Sequence, residues 1–273
     1  MPILNKDMTL CISLSARPSN NGTRFHNHLY GQLGLNWIYK AFAPTDLAQA
    51  IAGVRGLGIR GCAVSMPYKE DVIALVDHLA PSAAAIDSVN TIVNDSGVLT
   101  AHNTDYAAVA QLLAESGIDV DTPVALRGSG GMAKATVAAL RDAGFGRVQL
   151  VARNEAAGRA LAGQYGFEWV PEYDAGARLL VNVTPVGMDG GSGEGQLSFT
   201  RAQIEAADAV FDVVAVPSET PLVAAGRELG KTVITGGQVM TLQALEQFVL
   251  YTGITPTPGQ IAEAEAFMRS ADA

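Results

Sequence analysis

Lys69 closes the segment Val64-Ser65-Met66-Pro67-Tyr68-Lys69, and Asn103-Thr104-Asp105 lies further on, with Ser88-Val89-Asn90-Thr91 between them. A glycine-rich turn, Gly128-Ser129-Gly130-Gly131-Met132-Ala133, follows. A lysine, a carboxylate, carboxamides and a phosphate cradle are the parts of a dehydrogenase site. Reducing a ketone needs a hydride donor and a group that protonates the new alkoxide. Lysine can be that group if its pKa falls toward the working pH. Desolvation lowers a lysine pKa, whereas a neighbouring Asp105 raises it. Each residue also has an ordinary reading. Lys69 alone reads as a solvated surface lysine, Asn-Thr-Asp before a helix reads as an N-cap, and Asn90 reads as the support of a local turn. Lys69 is set apart by its place after an apolar strand, where a parallel sheet presents its ligand-binding edge.

The glycine turn fits the dinucleotide fingerprint as Gly128-x-Gly130-x-x-Ala133, in its Gly/Ala form. The first glycine permits the tight turn, the second lets a pyrophosphate approach the backbone, and the small third residue lets helix and strand pack closely. With 29 glycines the bare pattern is a weak signal. An apolar strand before it and a helix after it strengthen it. An NAD site would place Asp or Glu at the end of the next strand. Here that strand ends Val151-Ala152-Arg153-Asn154. Arg153 suits a 2′-phosphate, with its guanidinium stacked on adenine, so NADP(H) is the expected cofactor. Glu155 close by argues the other way, and Arg153 also reads as an ordinary exposed arginine.

The elements that must position these residues alternate between strand and helix. Strands are expected at 10–14, 37–42, 61–65 and 98–100, with 91–94 leading into the last of these through a turn. Helices are expected over 47–57, after Pro67, and around Phe25, Leu29 and Leu33 with Gly34 as the stop. A second βαβ series has strands at 123–127, 148–152, 179–183, 209–214 and 231–234, with a helix over 133–142. It implies a parallel sheet covered on both faces. The helix at 107–115 could link two domains, and helices at 242–250 and 261–268 end the chain. The fold class is α/β.

The composition narrows the function. With 273 residues, two modest domains fit, and 48% hydrophobic content supports a sizeable core. A formal charge of −9 makes general nucleic-acid or anionic-membrane binding poor. No apolar run is long enough to span a membrane, and the N-terminus lacks a signal-peptide core. Cys11 and Cys62 sit in strand-like runs and read as buried thiols of a cytoplasmic protein rather than a disulfide. His26, His28, His78 and His102 are scattered, and no metal or hydrolase motif is present.

Taken in order, these blocks resemble the shikimate dehydrogenase family over nearly the whole chain. Gly61 to Lys69 looks like its Gly-x-Asn-Val-Thr-x-Pro-aromatic-Lys block. Ile86 to Thr91 and Asn103-Thr104-Asp105 look like its next two, and Ala152-Arg153-Asn154 like its phosphate site. Asn182-Val183-Thr184-Pro185-Val186-Gly187-Met188 and Gly236 to Ala244 complete the series. The resemblance implies a substrate domain at 1–105, completed by 239–273, an NADP domain of Rossmann type at 106–238, and a cleft between them. It implies Lys69 as acid/base, with Asp105 orienting it and the substrate hydroxyl. Asn20, Gly22, Ser65, Asn90 and Gln243 take the family's substrate positions. Besides the turn residues Gly128, Ser129, Gly130, Gly131, Met132 and Ala133, the cofactor positions are Arg153, Asn154, Asn182, Thr184, Val213 and Gly236. A small cyclic hydroxy acid is the implied partner, and a monomer or homodimer the implied assembly.

The departures concern the substrate shell. Where the family presents two serines to the substrate carboxylate, this chain has Asn20 and Gly22, and Thr23 replaces the following proline. Ala63 stands for the family's asparagine, Ser65 for its threonine, and Ala215 for a tyrosine. Each lost hydrogen bond to a carboxylate costs about 1.5–3 kcal/mol, so two losses weaken shikimate use by roughly a hundredfold. The pattern resembles the shikimate dehydrogenase-like subgroup. Ser13, Ser15, Arg17 or Asn20 are candidates to rebuild a carboxylate site, and Arg17 suits one by charge. Quinate, an aminated analogue, and a poorly catalytic binding paralogue are the alternatives.

Overall fold

A computed structural model describes residues 4–173 and 176–270. The first three residues, part of the N-terminal segment read for a signal core, lie outside them. The chain divides into one compact unit of Met1–Thr104 with Thr241–Ala273, and a second of Asp105–Met240.

In the first unit β1 (Thr9–Leu14), β2 (Trp37–Phe42) and β3 (Gly61–Val64) run parallel, joined by α1 (Asn21–Gln32) and α2 (Leu47–Gly56). Then β5 (Thr91–Asp95) returns antiparallel to β3, and β6 (Val98–His102) pairs antiparallel with β5. A two-residue β4 (His78–Leu79) completes the order β2-β1-β3-β5-β6-β4. The one-turn α3 (Pro81–Ala84) follows β4. The sheet is mixed because the Asp95-Ser96-Gly97 turn folds β5 onto β6, with Ser96 and Gly97 at φ of 53° and 95°. The helix expected after Pro67 is absent. Residues 66–70 are turns, and 71–75 form a 3-10 helix. Pro67 offers no N–H, the β-branched pair Val72-Ile73 disfavours an α-helix, and Val72 is anchored in the core.

Cys11 pairs in register with Tyr39, and Cys62 with Ile12, so the two buried thiols project from opposite faces and both are free. On the Cys11 face, His26 is fully buried and stacks on Tyr39 with ring centroids 4.4 Å apart. Burial pushes its imidazole down to about 3, opposed by the Gln247 carboxamide. It is a neutral core residue.

The second unit begins with α4 (Thr104–Glu115), whose first residue belongs to the first unit. It continues with β7 (Val124–Arg127), α5 (Gly131–Asp142), β8 (Val148–Val151), α6 (Glu155–Tyr165) and β9 (Glu168–Trp169). After them come β10 (Leu179–Asn182), α7 (Arg201–Ala206), β11 (Ala209–Asp212), α8 (Pro221–Glu228) and β12 (Thr232–Thr235). All pairs are parallel, in the order β12-β11-β10-β7-β8-β9. Counted from β7 this is the 3-2-1-4-5-6 order of a dinucleotide-binding sheet, with its switch point between β7 and β10. Next, α9 (Gly236–Thr252) starts six residues before the expected Leu242, and α10 (Pro258–Arg269) ends the described chain. Among the described residues no helix is long and apolar enough to cross a membrane.

Candidate functional site

The mixed sheet of the first unit gathers its polar motifs at one edge. The parallel strands β1 and β3 end there at Leu14 and Val64. Thr91, which opens β5, pairs with Ala63 and with His102, the last residue of β6. The loop after β3, the start of β5 and the end of β6 therefore meet. The Val89 N–H donates to the Lys69 carbonyl at 2.8 Å, tying the lysine loop to the Asn90 segment. Lys69 is half-buried. Asp105 is 7% exposed and is the second residue of α4. Asn103, not Asp105, immediately precedes that helix.

Asn90 is 2% exposed and organises a carboxamide network. Its Oδ1 accepts from the Thr104 N–H and the Thr91 hydroxyl, both at 2.8 Å. Its Nδ2 donates to Thr104 Oγ1 at 3.0 Å and to Gln243 Oε1 at 3.5 Å. Gln247, one turn beyond Gln243 on α9, donates to Thr91 Oγ1 at 3.0 Å and to Gln243 Oε1 at 3.2 Å. Gln247 and Thr104 were missed from the sequence. The i, i+4 spacing of Gln243 and Gln247 on one helix face was the available signal.

The loop after β1 reaches the same edge. The Ser15 hydroxyl donates to the Met66 carbonyl at 3.4 Å and accepts from the Arg17 N–H at 3.2 Å, leaving the Arg17 side chain exposed. Asn20 is exposed at the N-cap of α1, with no side-chain capping bond. A Cβ on Gly22 would stand 3.3 Å from the Tyr39 hydroxyl, so a core tyrosine approaches the space beside that glycine. Ser65 is exposed, with its N–H on the Leu14 carbonyl.

In the second unit the glycine turn lies at the switch point. Gly128 has φ 130°, and a Cβ there would come within 2.8 Å of Val183 Cγ2 and 3.1 Å of the Val183 carbonyl. Only glycine suits both demands. Gly130 is exposed at the N-cap of α5 and has nothing within 4 Å of its Cβ position. Ser129, Gly131 and Met132 are half-buried, and Ala133 is fully buried in the first turn of α5. The free space at Gly130, against the N–H groups of a twelve-residue helix, fits a pyrophosphate. Arg153 is exposed. Asn154 caps α6, its Oδ1 accepting from the Ala157 N–H at 3.1 Å. Glu155 pairs with Arg159 at 2.7 Å, so the carboxylate that argued against a phosphate at Arg153 is engaged along its own helix.

Asn182, Thr184 and Asp212 form the other half of this edge. Asn182 is fully buried and donates to Asp212 Oδ1 at 2.9 Å and to the Val186 carbonyl at 3.1 Å. Its Oδ1 accepts from the Thr184 hydroxyl at 2.6 Å. Asp212 also accepts from the Val214 N–H at 3.0 Å and the Thr220 hydroxyl at 2.8 Å. Burial raises its carboxyl to about 6 against the pull of these three donors. No motif in the sequence singles out Asp212. Val213 is half-buried, its N–H on the Asn182 carbonyl at 3.0 Å. Gly236 opens α9 with its Cβ position 2.2 Å from the Val214 carbonyl oxygen, a contact no side chain could make.

A family model of the shikimate dehydrogenase substrate-binding domain matches residues 19–92. Across 269 residues the chain is 52% identical to a shikimate dehydrogenase-like protein of Haemophilus influenzae, covering 98% of this chain and 99% of that relative. The chain belongs to the shikimate dehydrogenase family. The match to a "like" member agrees with the subgroup expected from the altered shell. Two solved structures share its fold. The shikimate 5-dehydrogenase of Thermus thermophilus, in complex with NADP(H) and shikimate, has a TM-score of 0.85 and 30% identity, covering 96% of this chain and 100% of that one. The quinate dehydrogenase of Corynebacterium glutamicum, in complex with NAD, has a TM-score of 0.86 and 26% identity, covering 96% and 99%.

Proposed function

We propose that this family member interconverts a secondary alcohol and a ketone on a small polyhydroxylated cyclic acid, shikimate or a close analogue. Membership makes it an NADP-dependent oxidoreductase, like the relative solved with NADP(H) and shikimate. The observation that carries the reading is the shared edge in the first unit, where the loop ending in Lys69 is bonded to the segment of Asn90, and Asn90 to Gln243. When bound, the nicotinamide supplies or accepts the hydride. Lys69, as ammonium, gives a proton to the carbonyl oxygen during reduction, and as amine takes the hydroxyl proton during oxidation. Asp105 orients Lys69 and the substrate hydroxyl. Gln243 presents its carboxamide N–H groups to the remaining hydroxyls, with Asn90 and Gln247 fixing its orientation through its Oε1 and Thr104 fixing that of Asn90. Arg153 pairs with the 2′-phosphate, Gly130 admits the pyrophosphate, and Asn182 positions the Thr184 loop.

Shikimate use is weak in this reading. Gly22 has no side-chain donor, and Arg17 is an exposed cation on the loop that reaches that edge and suits a carboxylate. The quinate dehydrogenase likeness supports quinate as the second substrate to try. The test is the NADP(H) absorbance change with shikimate, quinate and their dehydro forms, for the wild type and Lys69→Ala. The variant is expected to lose at least about a hundredfold in kcat while NADPH still binds. Equal rates in both proteins on every substrate would refute the assignment.

A further inference from the structure

The connection from β9 to β10 crosses the sheet of the second unit without a helix among its described residues. Beneath it, over β7 and β8, lies a cavity of about 460 Å³. Its floor is Arg127 and Val151, and its walls include Tyr173, Ser198 and Phe199. Neither the Gly128–Ala133 turn nor Arg153 lines it. Tyr173 and Phe199 pack on Ala125 and Leu180 with α7 and α8, which places the cavity on that face.

Three features distinguish it from a packing gap. Arg127 ends an otherwise apolar buried strand, where a cation is out of pattern. Its guanidinium donates to the Ser198 carbonyl, which occupies one of the five N–H donors an arginine carries. The Ser198 hydroxyl, on a residue 1% exposed, and the buried Tyr173 hydroxyl have no hydrogen-bond partner. Buried hydroxyls without partners are costly unless something fills the space between them. Burial raises the Tyr173 phenol well above its ordinary value, opposed first by the Arg127 charge and then by the Val151 backbone beside it, so it remains a donor.

We propose that this cavity is a second binding site, for a small monocarboxylate with an apolar or aromatic body. Its carboxylate pairs with Arg127 and accepts from Tyr173 and Ser198, and its body lies along Val151, Leu197 and Phe199. Among the described lining residues Arg127 is the one cation and Glu172, exposed at the rim, the one acid, which selects against phosphates and other dianions. The volume is in the range of small-molecule sites.

The test is calorimetric titration of the full chain with 3-phenylpropionate, with and without saturating NADPH. Phenethylamine and inorganic phosphate are the controls. Saturable binding of 3-phenylpropionate alone, unaffected by NADPH, is expected, weakened about tenfold or more in Arg127→Gln and measurably in Tyr173→Phe. The Tyr173→Phe variant keeps the ring and its packing, so it decides the matter if Arg127→Gln does not fold. Three results would overturn the site: no saturable binding, competition by NADPH or phosphate, or equal affinity for phenethylamine. So would unchanged affinity in the Tyr173→Phe protein.

Discussion

The two sheet edges reach their functional shape by different means. In the second unit the edge is set by close approach to glycine backbone, of the Val183 side chain and carbonyl to Gly128 and of the Val213 and Val214 backbone to Gly236. In the first unit it is set by side chains, with Asn90, Thr91, Thr104, Gln243 and Gln247 bonded to one another. A backbone contact admits one residue type and leaves little to vary. A carboxamide network can be rebuilt around a different ligand while the fold persists. Asn20, Gly22 and Ala63, read in the sequence as departures from the family pattern, lie outside both the glycine contacts and the carboxamide network.

The sharpest way to break the comparison is Gly236→Ala. Its Cβ would stand 2.2 Å from the Val214 carbonyl oxygen and 2.4 Å from that of Val213, and neither can rotate away. The expected loss is about 3 kcal/mol or more, read as the shift in urea midpoint. A loss below about 1 kcal/mol would mean that the second edge is as adaptable as the first.

Asn90→Ala is the matching cut in the first unit. It removes the acceptor of the Thr104 N–H and the donor to Thr104 Oγ1, both in buried surroundings. About 2–3 kcal/mol is expected, from buried groups left without partners. Turnover should fall further than stability accounts for. A variant with near wild-type kcat would show that the network supports the fold and not the chemistry.

What was legible in the sequence follows the same division. The βαβ series of the second unit was readable because parallel strands buried on both faces are continuous apolar runs, and the glycine fingerprint depends on local backbone geometry. The mixed topology of the first unit was not readable. Nothing local in Thr91 to His102 says that β5 will turn back against β3, yet this reversal brings Asn90 and Asn103 beside Lys69's loop. Gly236 and Gly237 lie in the first turn of α9. The carbonyls that require Gly236 are about twenty residues away in sequence, so no local pattern reveals the contact. Asp212 was passed over because one aspartate ending a strand is unremarkable until its three donors are seen.

Asp212 also tests whether the contrast is complete, since it sits in a buried polar side-chain network at the edge of the second unit. Its carboxyl is raised from 3.8 to about 6, first by burial, against donors from Val214, Thr220 and Asn182. A raised carboxylate binds its proton more tightly in the folded state than in the unfolded chain. Its contribution to stability is therefore full below about pH 4 and is lost as pH rises to about 6. Other acids, such as Asp77 and Asp208, are held below their usual range by arginine partners and act in the opposite sense. The measurement is thus the difference between wild type and Asp212→Asn in chemical denaturation across pH 4 to 7. Asparagine keeps the size but turns one acceptor into a donor facing other donors, a cost of about 1–2 kcal/mol. The wild-type advantage should be greatest at the acid end and shrink toward pH 7 as the buried carboxylate ionises. An advantage that grows with pH would mean that the three donors outweigh burial, and that this edge too relies on a charged side-chain network.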